Sequence, residues 1–273
     1  MAYASNEGTK IYWEEHGEGQ PLLLIMGLGS ASGMWYRLLP HFSARYRTII
    51  FDNRGVGRSD TDTPPYTIAT MAADAAAVLN AADVESANVL GFSMGGFIAQ
   101  EFALRYPHRV RSLVLASTAC GGREVVWADT EVLTALAAKG VKTREEGFRM
   151  TAPFNYHPST PGNLIEEDLA VTLRSPLKRE SYQAQLQAIM SWTGSHERLQ
   201  SLNKHTLVLH GDSDRLIPTE NGRILARAIP NAEFVLLKDA GHRFMTDKLE
   251  EASRAILSFL DGAEVRSAQG IVA

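Results

Sequence analysis

Serine, aspartate and histidine occur in this 273-residue chain just where strand-like runs end, and that placement gives them chemical promise. The run Asn88 to Gly91 leads into Gly91-Phe92-Ser93-Met94-Gly95-Gly96, then into a helix-like segment, Phe97 to Tyr106, that stops before Pro107. A serine on so sharp a strand-to-helix turn crowds the positions two residues away, so G-x-S-x-G supplies glycines where a Cβ could not fit. Gly96 would further let the new helix approach the sheet. Such a turn holds Ser93 exposed in a strained conformation, with the first N–H groups of the helix turned towards the reacting centre. Serine at its ordinary pKa is a weak nucleophile and needs a base and a group that orients the base. Both follow in the chain. Thr206 to His210 runs into Gly211-Asp212-Ser213-Asp214-Arg215-Leu216-Ile217-Pro218, and Glu233 to Leu237 runs into Asp239-Ala240-Gly241-His242. The order serine, aspartate, histidine points to acyl transfer with Ser93 as nucleophile, His242 as base and Asp212 or Asp214 as orienting acid.

Groups so far apart in sequence need a sheet to bring them together. Six short apolar runs read as buried strands: Leu22 to Met26, Thr48 to Phe51, Asn88 to Gly91, Val110 to Ala116, Thr206 to His210 and Glu233 to Leu237. Runs this continuous predict a mainly parallel sheet covered on both faces. Lys10 to Gly17 and the start of the chain add antiparallel edge strands, since Ile11 and Trp13 alternate with polar neighbours. Between the runs lie helical stripes such as Ile68, Met71, Ala75, Val78 and Leu79, and again Leu249, Ala252, Ile256, Phe259 and Leu260.

The alternation breaks between Ala119 and His196. Helical stretches are predicted near Glu124 to Lys139, Arg144 to Met150, Leu164 to Arg174 and Lys178 to Trp192, separated by breakers at Pro153, Pro158, Pro161 and Pro176. In the last of them Tyr182, Leu186, Ile189 and Met190 fall at helical spacing. An all-helical insert in an α/β chain reads as a cap over the carboxyl ends of the strands, where such sheets bind ligands. The expected division is a core of residues 1–118 and 197–273 with a helical cap over 119–196, and a mobile tail from Gly262.

Composition narrows the function classes. With 45% hydrophobic and 21% charged residues, a net charge of -4 and a pI near 6.1, there is no basic field for nucleic acid and no long apolar run for a membrane. The only cysteine, Cys120, can form neither an internal disulfide nor a cysteine-rich metal site, which fits a reducing compartment. With no leader-like segment in its first residues the chain is expected in the cytoplasm. Gly27-Leu28-Gly29 has Ser32 at the third position of a dinucleotide fingerprint, and His196-Glu197 lacks the second histidine of a zinc-protease helix. No cofactor and no metal are therefore expected. His210 reads as a structural strand-end histidine, His157 as a solvated or packed one, and Cys120 as a small buried hydrophobe.

These motifs resemble the α/β-hydrolase superfamily, in particular its small cap-bearing serine esterases and lactonases, and the likeness covers nearly the whole chain. The resemblance implies an α/β-hydrolase fold with a helical cap inserted after the sixth strand. It selects Asp214 over Asp212, because the family places its acid in a G-x-x-D-x-hydrophobic-x-P context. It also makes Leu22 to Gly29 the oxyanion loop, with the backbone N–H groups of Leu28 and Met94 as donors. Here the chain departs from the common His-Gly pattern, reading Met26-Gly27-Leu28-Gly29, a change that backbone donors should tolerate. Asp52-Asn53-Arg54-Gly55-Val56-Gly57-Arg58-Ser59-Asp60 resembles a supporting segment of the family. Met26, Trp127, Phe154, Trp192 and Phe244 are expected to line an apolar substrate pocket. The implied substrate is a small to medium, largely apolar carboxylic ester or lactone. A carbon-carbon bond hydrolase, an enol-lactonase, a cofactor-free perhydrolase and a hydrolase-like ligand receptor are the alternatives, and the oligomeric state is open between monomer and homo-oligomer.

Overall fold

The computed structural model describes residues 2–61 and 66–268. Eight strands form one sheet: β1 (Ala2–Asn6), β2 (Thr9–His16), β3 (Gln20–Ile25), β4 (Tyr46–Phe51), β5 (Ala87–Phe92), β6 (Val110–Ala116), β7 (His205–Gly211) and β8 (Glu233–Leu237). Their order is β1-β2-β4-β3-β5-β6-β7-β8; β2 pairs antiparallel with β1 and β4, and the other neighbours are parallel. All six residues of β5 are buried, as a strand covered on both faces requires.

Among the described residues ten α-helices accompany the strands: α1 (Leu39–Ser43), α2 (Ile68–Ala81), α3 (Met94–Arg105), α4 (Thr130–Lys139), α5 (Arg144–Asn155), α6 (Gly162–Leu173), α7 (Arg179–Ser191), α8 (Glu220–Ala228), α9 (Phe244–Asp247) and α10 (Leu249–Ala268). The alternating side chains of the strands split the core in two. Leu23, Ile49 and Val89 pack with Met71, Leu79, Ile98 and Phe102 of α2 and α3, while Leu24, Ile50 and Leu90 pack with Trp35, Phe42, Ile256 and Leu260 on the opposite face. Helices α4 to α7 all lie between β6 and β7 in sequence. Among the described residues no helix is long and apolar enough to cross a membrane, and no group of three or more His, Cys, Asp or Glu could hold a metal ion.

The sheet read from the sequence is present, with strand ends displaced by a residue or two. Two local expectations are corrected. The first insert helix starts at Thr130 rather than near Glu124, because Asn221 pins Val126 in an open chain through Val126 N–H to Oδ1 (2.9 Å) and Nδ2 to the Val126 carbonyl (2.8 Å). Pro153 does not end α5; it sits in the last turn, where its missing N–H costs one helical bond, and the helix runs on to Asn155. Helix α10 continues from Gly262 to Ala268 through the first part of the tail, and residues 269–273 lie outside the described residues.

Candidate active site

The turn between β5 and α3 is held from every side. Ser93 adopts φ +58° and ψ -123°, a conformation side chains rarely take, and it is stitched into place by its neighbours. Its N–H donates to the Ala116 carbonyl (3.0 Å), while its own carbonyl accepts from Gly96 N–H (2.8 Å) and Thr118 Oγ1 (2.8 Å). The glycines are required by contact. A Cβ on Gly91 would strike the Gly95 carbonyl, one on Gly95 the Ile25 carbonyl, and one on Gly96 the Thr118 side chain.

Three strand ends converge on this serine. His242, after β8, places Nε2 3.0 Å from Ser93 Oγ and Nδ1 2.8 Å from Asp214 Oδ2. Ser93, Asp214 and His242 are 8%, 5% and 3% exposed, so the chain of polar contacts is shielded from competing water. Asp214 Oδ1 also accepts the N–H groups of Leu216 (2.9 Å) and Ile217 (2.8 Å). Burial pushes the Asp214 carboxyl up, but His242 and His210, with the bonds they make, outweigh it and hold it well below the ordinary carboxylate range. Asp212 is exposed and bonds instead to Ser213 Oγ (2.9 Å).

The loop after β3 faces the same point. A Cβ on Gly27 would lie 3.0 Å from Ser93 Cβ, so a side chain there would press on the nucleophile, and glycine lets the loop come this close. Gly29 takes φ +64°, and its N–H donates to Gln185 Oε1 of α7 (2.8 Å). Asn53 Nδ2 holds the Met26 carbonyl (2.8 Å), and Asp52 accepts from Ser32 N–H (2.7 Å), Ser32 Oγ (2.6 Å) and Arg58 N–H (2.9 Å), the supporting part expected of that segment. Leu28 and Met94 both border the space over Ser93, and Met94, first residue of α3, has an N–H with no acceptor inside the helix.

That space is a cavity of about 630 Å³, within the range typical of small-molecule sites. Gly27, Leu28, Ser93, Met94 and His242 border it on the sheet side. Helix α7 supplies Tyr182, Leu186, Ile189 and Met190, the stripe already visible as helical spacing in the sequence.

Of the five side chains expected to line the pocket, only Trp127 does so, and it is 52% exposed. The other four lie outside the lining. Met26 and Phe244 are core residues on the α1 and α10 face, Phe244 against Phe92 with ring centroids 5.8 Å apart. Phe154 packs inside the insert with Ala128, Val132 and Ala135, under the Arg215 guanidinium. Trp192 packs tilted against Phe97, ring centroids 5.2 Å apart, and donates Nε1 to Glu101 Oε2 (3.2 Å). Nor does Cys120 face the cavity: its thiol is buried, which pushes its pKa up to about 11, and its neighbour Ala119 borders the space. His157 lies away from the cavity against Ser159 (2.6 Å). His210, read as structural, has Nε2 2.8 Å from the Ile217 carbonyl and 3.3 Å from Asp214 Oδ2, so two imidazoles share one carboxylate. Sequence reasoning missed Lys139 and Arg243 in the lining, although Arg243 follows His242 directly.

Comparison with known proteins agrees with this fold. The family described as alpha/beta hydrolase fold matches residues 20–249. The chain is 34% identical over 250 residues to a poly(3-hydroxyalkanoate) depolymerase of Ectopseudomonas oleovorans, covering 90% of this chain and 86% of that protein. It is 29% identical over 262 residues to a 2-hydroxy-6-oxo-6-phenylhexa-2,4-dienoate hydrolase of Comamonas testosteroni, covering 92% and 91%. Among solved structures, a thermophilic esterase of Thermogutta terrifontis superposes with a TM-score of 0.82 at 27% identity, over 96% of this chain and 98% of that one.

Proposed function

The chain belongs to the alpha/beta hydrolase fold family, and from that premise we propose that it is a serine hydrolase that cleaves a carboxylic ester or lactone through an acyl-enzyme. The observation that carries this reading is the buried Asp214, His242, Ser93 contact chain at the edge of a cavity large enough for a small to medium substrate. In the proposed reaction His242 Nε2 takes the Ser93 proton as Oγ attacks the substrate carbonyl. Charge developing on the carbonyl oxygen is met by the Leu28 and Met94 N–H groups. Collapse expels the alcohol, which leaves with the proton from His242. Water, deprotonated by His242, then releases the acid and restores Ser93. Asp214, held ionised by its surroundings, keeps the imidazole oriented and faces the positive charge that forms on it during the reaction.

In this reading residues 119–196 act as a cap that shapes the cavity over a core of 1–118 and 197–273. The small-molecule substrate is met inside the cell, a location supported by the single buried cysteine. The likeness to the dienoate hydrolase favours a second reading, in which the same three residues cleave a carbon-carbon bond next to a carbonyl.

The test is kcat/KM on 4-nitrophenyl esters of increasing acyl length, for wild type and Ser93→Ala. Loss of kcat on the order of 10⁶-fold in the variant is expected. Near-wild-type turnover by Ser93→Ala would end the serine reading, and turnover of a vinylogous diketone in preference to every ester would favour the second.

A further inference from the structure

Two cationic side chains border the largely apolar cavity: Lys139, at the end of α4, and Arg243, the residue after His242. Arg243 is 9% exposed. Among the described residues neither has a carboxylate at ion-pair distance, and Lys139 meets only the Tyr182 ring, 6.0 Å from Nζ. The acids around them are committed elsewhere. Asp214 serves His242, His210 and two backbone N–H groups. Asp168 is bonded by Tyr36 (2.5 Å), Arg37 (3.1 Å), Tyr156 (2.9 Å) and Thr246 (2.7 Å). Asp247 accepts from Gly241 N–H, His157 N–H and Thr160 Oγ1.

A third cation stands close by. Arg144 spends its guanidinium on the Thr172 and Gly29 carbonyls, which bring no negative charge. Burial, then the charges of Arg243 and Arg144, push the Lys139 ammonium down to about 7, and burial with Arg243 pushes Arg144 down to about 10. Arg243 is buried, whereas Lys139 and Arg144 are half-buried; a buried cation without a counter-charge destabilises a fold, so the arrangement favours an anion beside it.

We propose that Lys139 and Arg243 form a subsite for a carboxylate carried by the substrate, so that the preferred ester or lactone has an apolar body and one anionic end. This rests on the serine-hydrolase reading and deepens it by naming the substrate class. It also explains why an apolar cavity retains two charged side chains beside its reacting centre. The carboxylate can sit on the acyl part or on the alcohol part, and the two are separable by experiment.

The test compares kcat/KM within two ester pairs: 4-nitrophenyl hydrogen adipate against 4-nitrophenyl methyl adipate, and 4-carboxyphenyl against 4-carbamoylphenyl butyrate. Wild type should favour the acid in one pair by about tenfold or more, the worth of one charge-assisted bond. Lys139→Met and Arg243→Met should each bring that ratio towards one, and Arg243→Lys should keep most of it. Because the ratio is read, general loss of activity from poorer packing does not imitate the effect. A wild-type ratio of one or less in both pairs overturns the subsite. Binding of hexanoate and hexanamide to Ser93→Ala, measured by calorimetry, needs no turnover. If no ester is hydrolysed but hexanoate binds more tightly, with the advantage lost in Ser93→Ala/Arg243→Met, the subsite stands and the ester reading falls. Equal binding of acid and amide overturns the subsite alone.

Discussion

The strand ends and the helical insert of residues 119–196 enclose one cavity by opposite means. On the strand side, position is set by backbone. Ser93 is bonded to Ala116, Gly96 and Thr118, and two extensive apolar clusters clamp the sheet between helices. The insert has only small clusters of its own, one of Ala128, Val132, Ala135 and Phe154, the other of Phe148, Tyr156 and Leu169. It is attached by polar anchors, among them Asp168 to Tyr36, Arg37 and Thr246, Gln185 to Gly29 and Arg54, and Val126 to Asn221, and by Ala184, Ala188 and Trp192 packed into the larger cluster under the sheet. Rigid backbone can hold reacting atoms to fractions of an ångström, whereas a wall built of side chains can exchange them and leave the reacting atoms in place. Strand-end substitutions should therefore lower kcat, and wall substitutions should alter which substrate is preferred.

The largest expected effect on that contrast after Ser93→Ala is at Asp214. Asp214→Asn should lower kcat by about 10⁴-fold with KM changed only a few-fold, since the imidazole loses its charged orienting partner. A change confined to KM would place Asp214 with the walls. The same residue ties the site to stability. Its folded carboxyl lies below the ordinary range, so its contribution is complete above the unfolded value near pH 4 and is lost as pH falls towards the folded value. Urea midpoints of wild type and Asp214→Asn, compared from pH 7 down to 3, should therefore converge below about pH 4. A constant gap would contradict the depressed carboxyl.

The next effect crosses the boundary between the two regions. Gln185 is fully buried on α7, accepting from Gly29 N–H (2.8 Å) and donating to the Arg54 carbonyl (2.9 Å). It thus fixes the residue beside Leu28 from the insert side. Gln185→Leu strands both backbone groups and should lower kcat by about 10- to 100-fold, less than removal of an oxyanion donor outright. A purely structural role would lower stability and leave kcat of the folded fraction unchanged.

The same contrast decides what the sequence could disclose. The six central strands and the serine turn were legible because local pattern determines them: continuous apolar runs, and glycines where backbone meets backbone at Gly91 and Gly95. His242 was legible because it follows its strand within a few residues, whereas Asp214 was told from Asp212 only by its resemblance to the family's G-x-x-D-x-hydrophobic-x-P context. The walls were not, because helix docking chooses among equally plausible aromatics. Trp127 and Trp192 look alike in sequence, yet one borders the cavity and the other covers Phe97 and Glu101. The extended stretch before α4 depends on Asn221, 95 residues away, and no local pattern encodes that bond. Lys139 and Arg243 were hidden for a related reason, since a charged side chain gains meaning only when its acids are seen to be engaged elsewhere.

Leu186 gives the smallest and sharpest version of the contrast, because it is the immediate neighbour of Gln185. On a helix, consecutive residues point about 100° apart, so Gln185 can turn into the core while Leu186 borders the cavity. Leu186→Ala removes apolar wall without touching the bonds to Gly29 and Arg54. It should move the optimum acyl length upwards by about one or two carbons. At the new optimum kcat/KM should differ from wild type by only about threefold to tenfold, the worth of one or two buried methylenes. Unchanged chain-length preference with a fall in kcat would mean that Leu186, like Gln185, acts on the reacting centre, and that α7 transmits rather than divides the two roles.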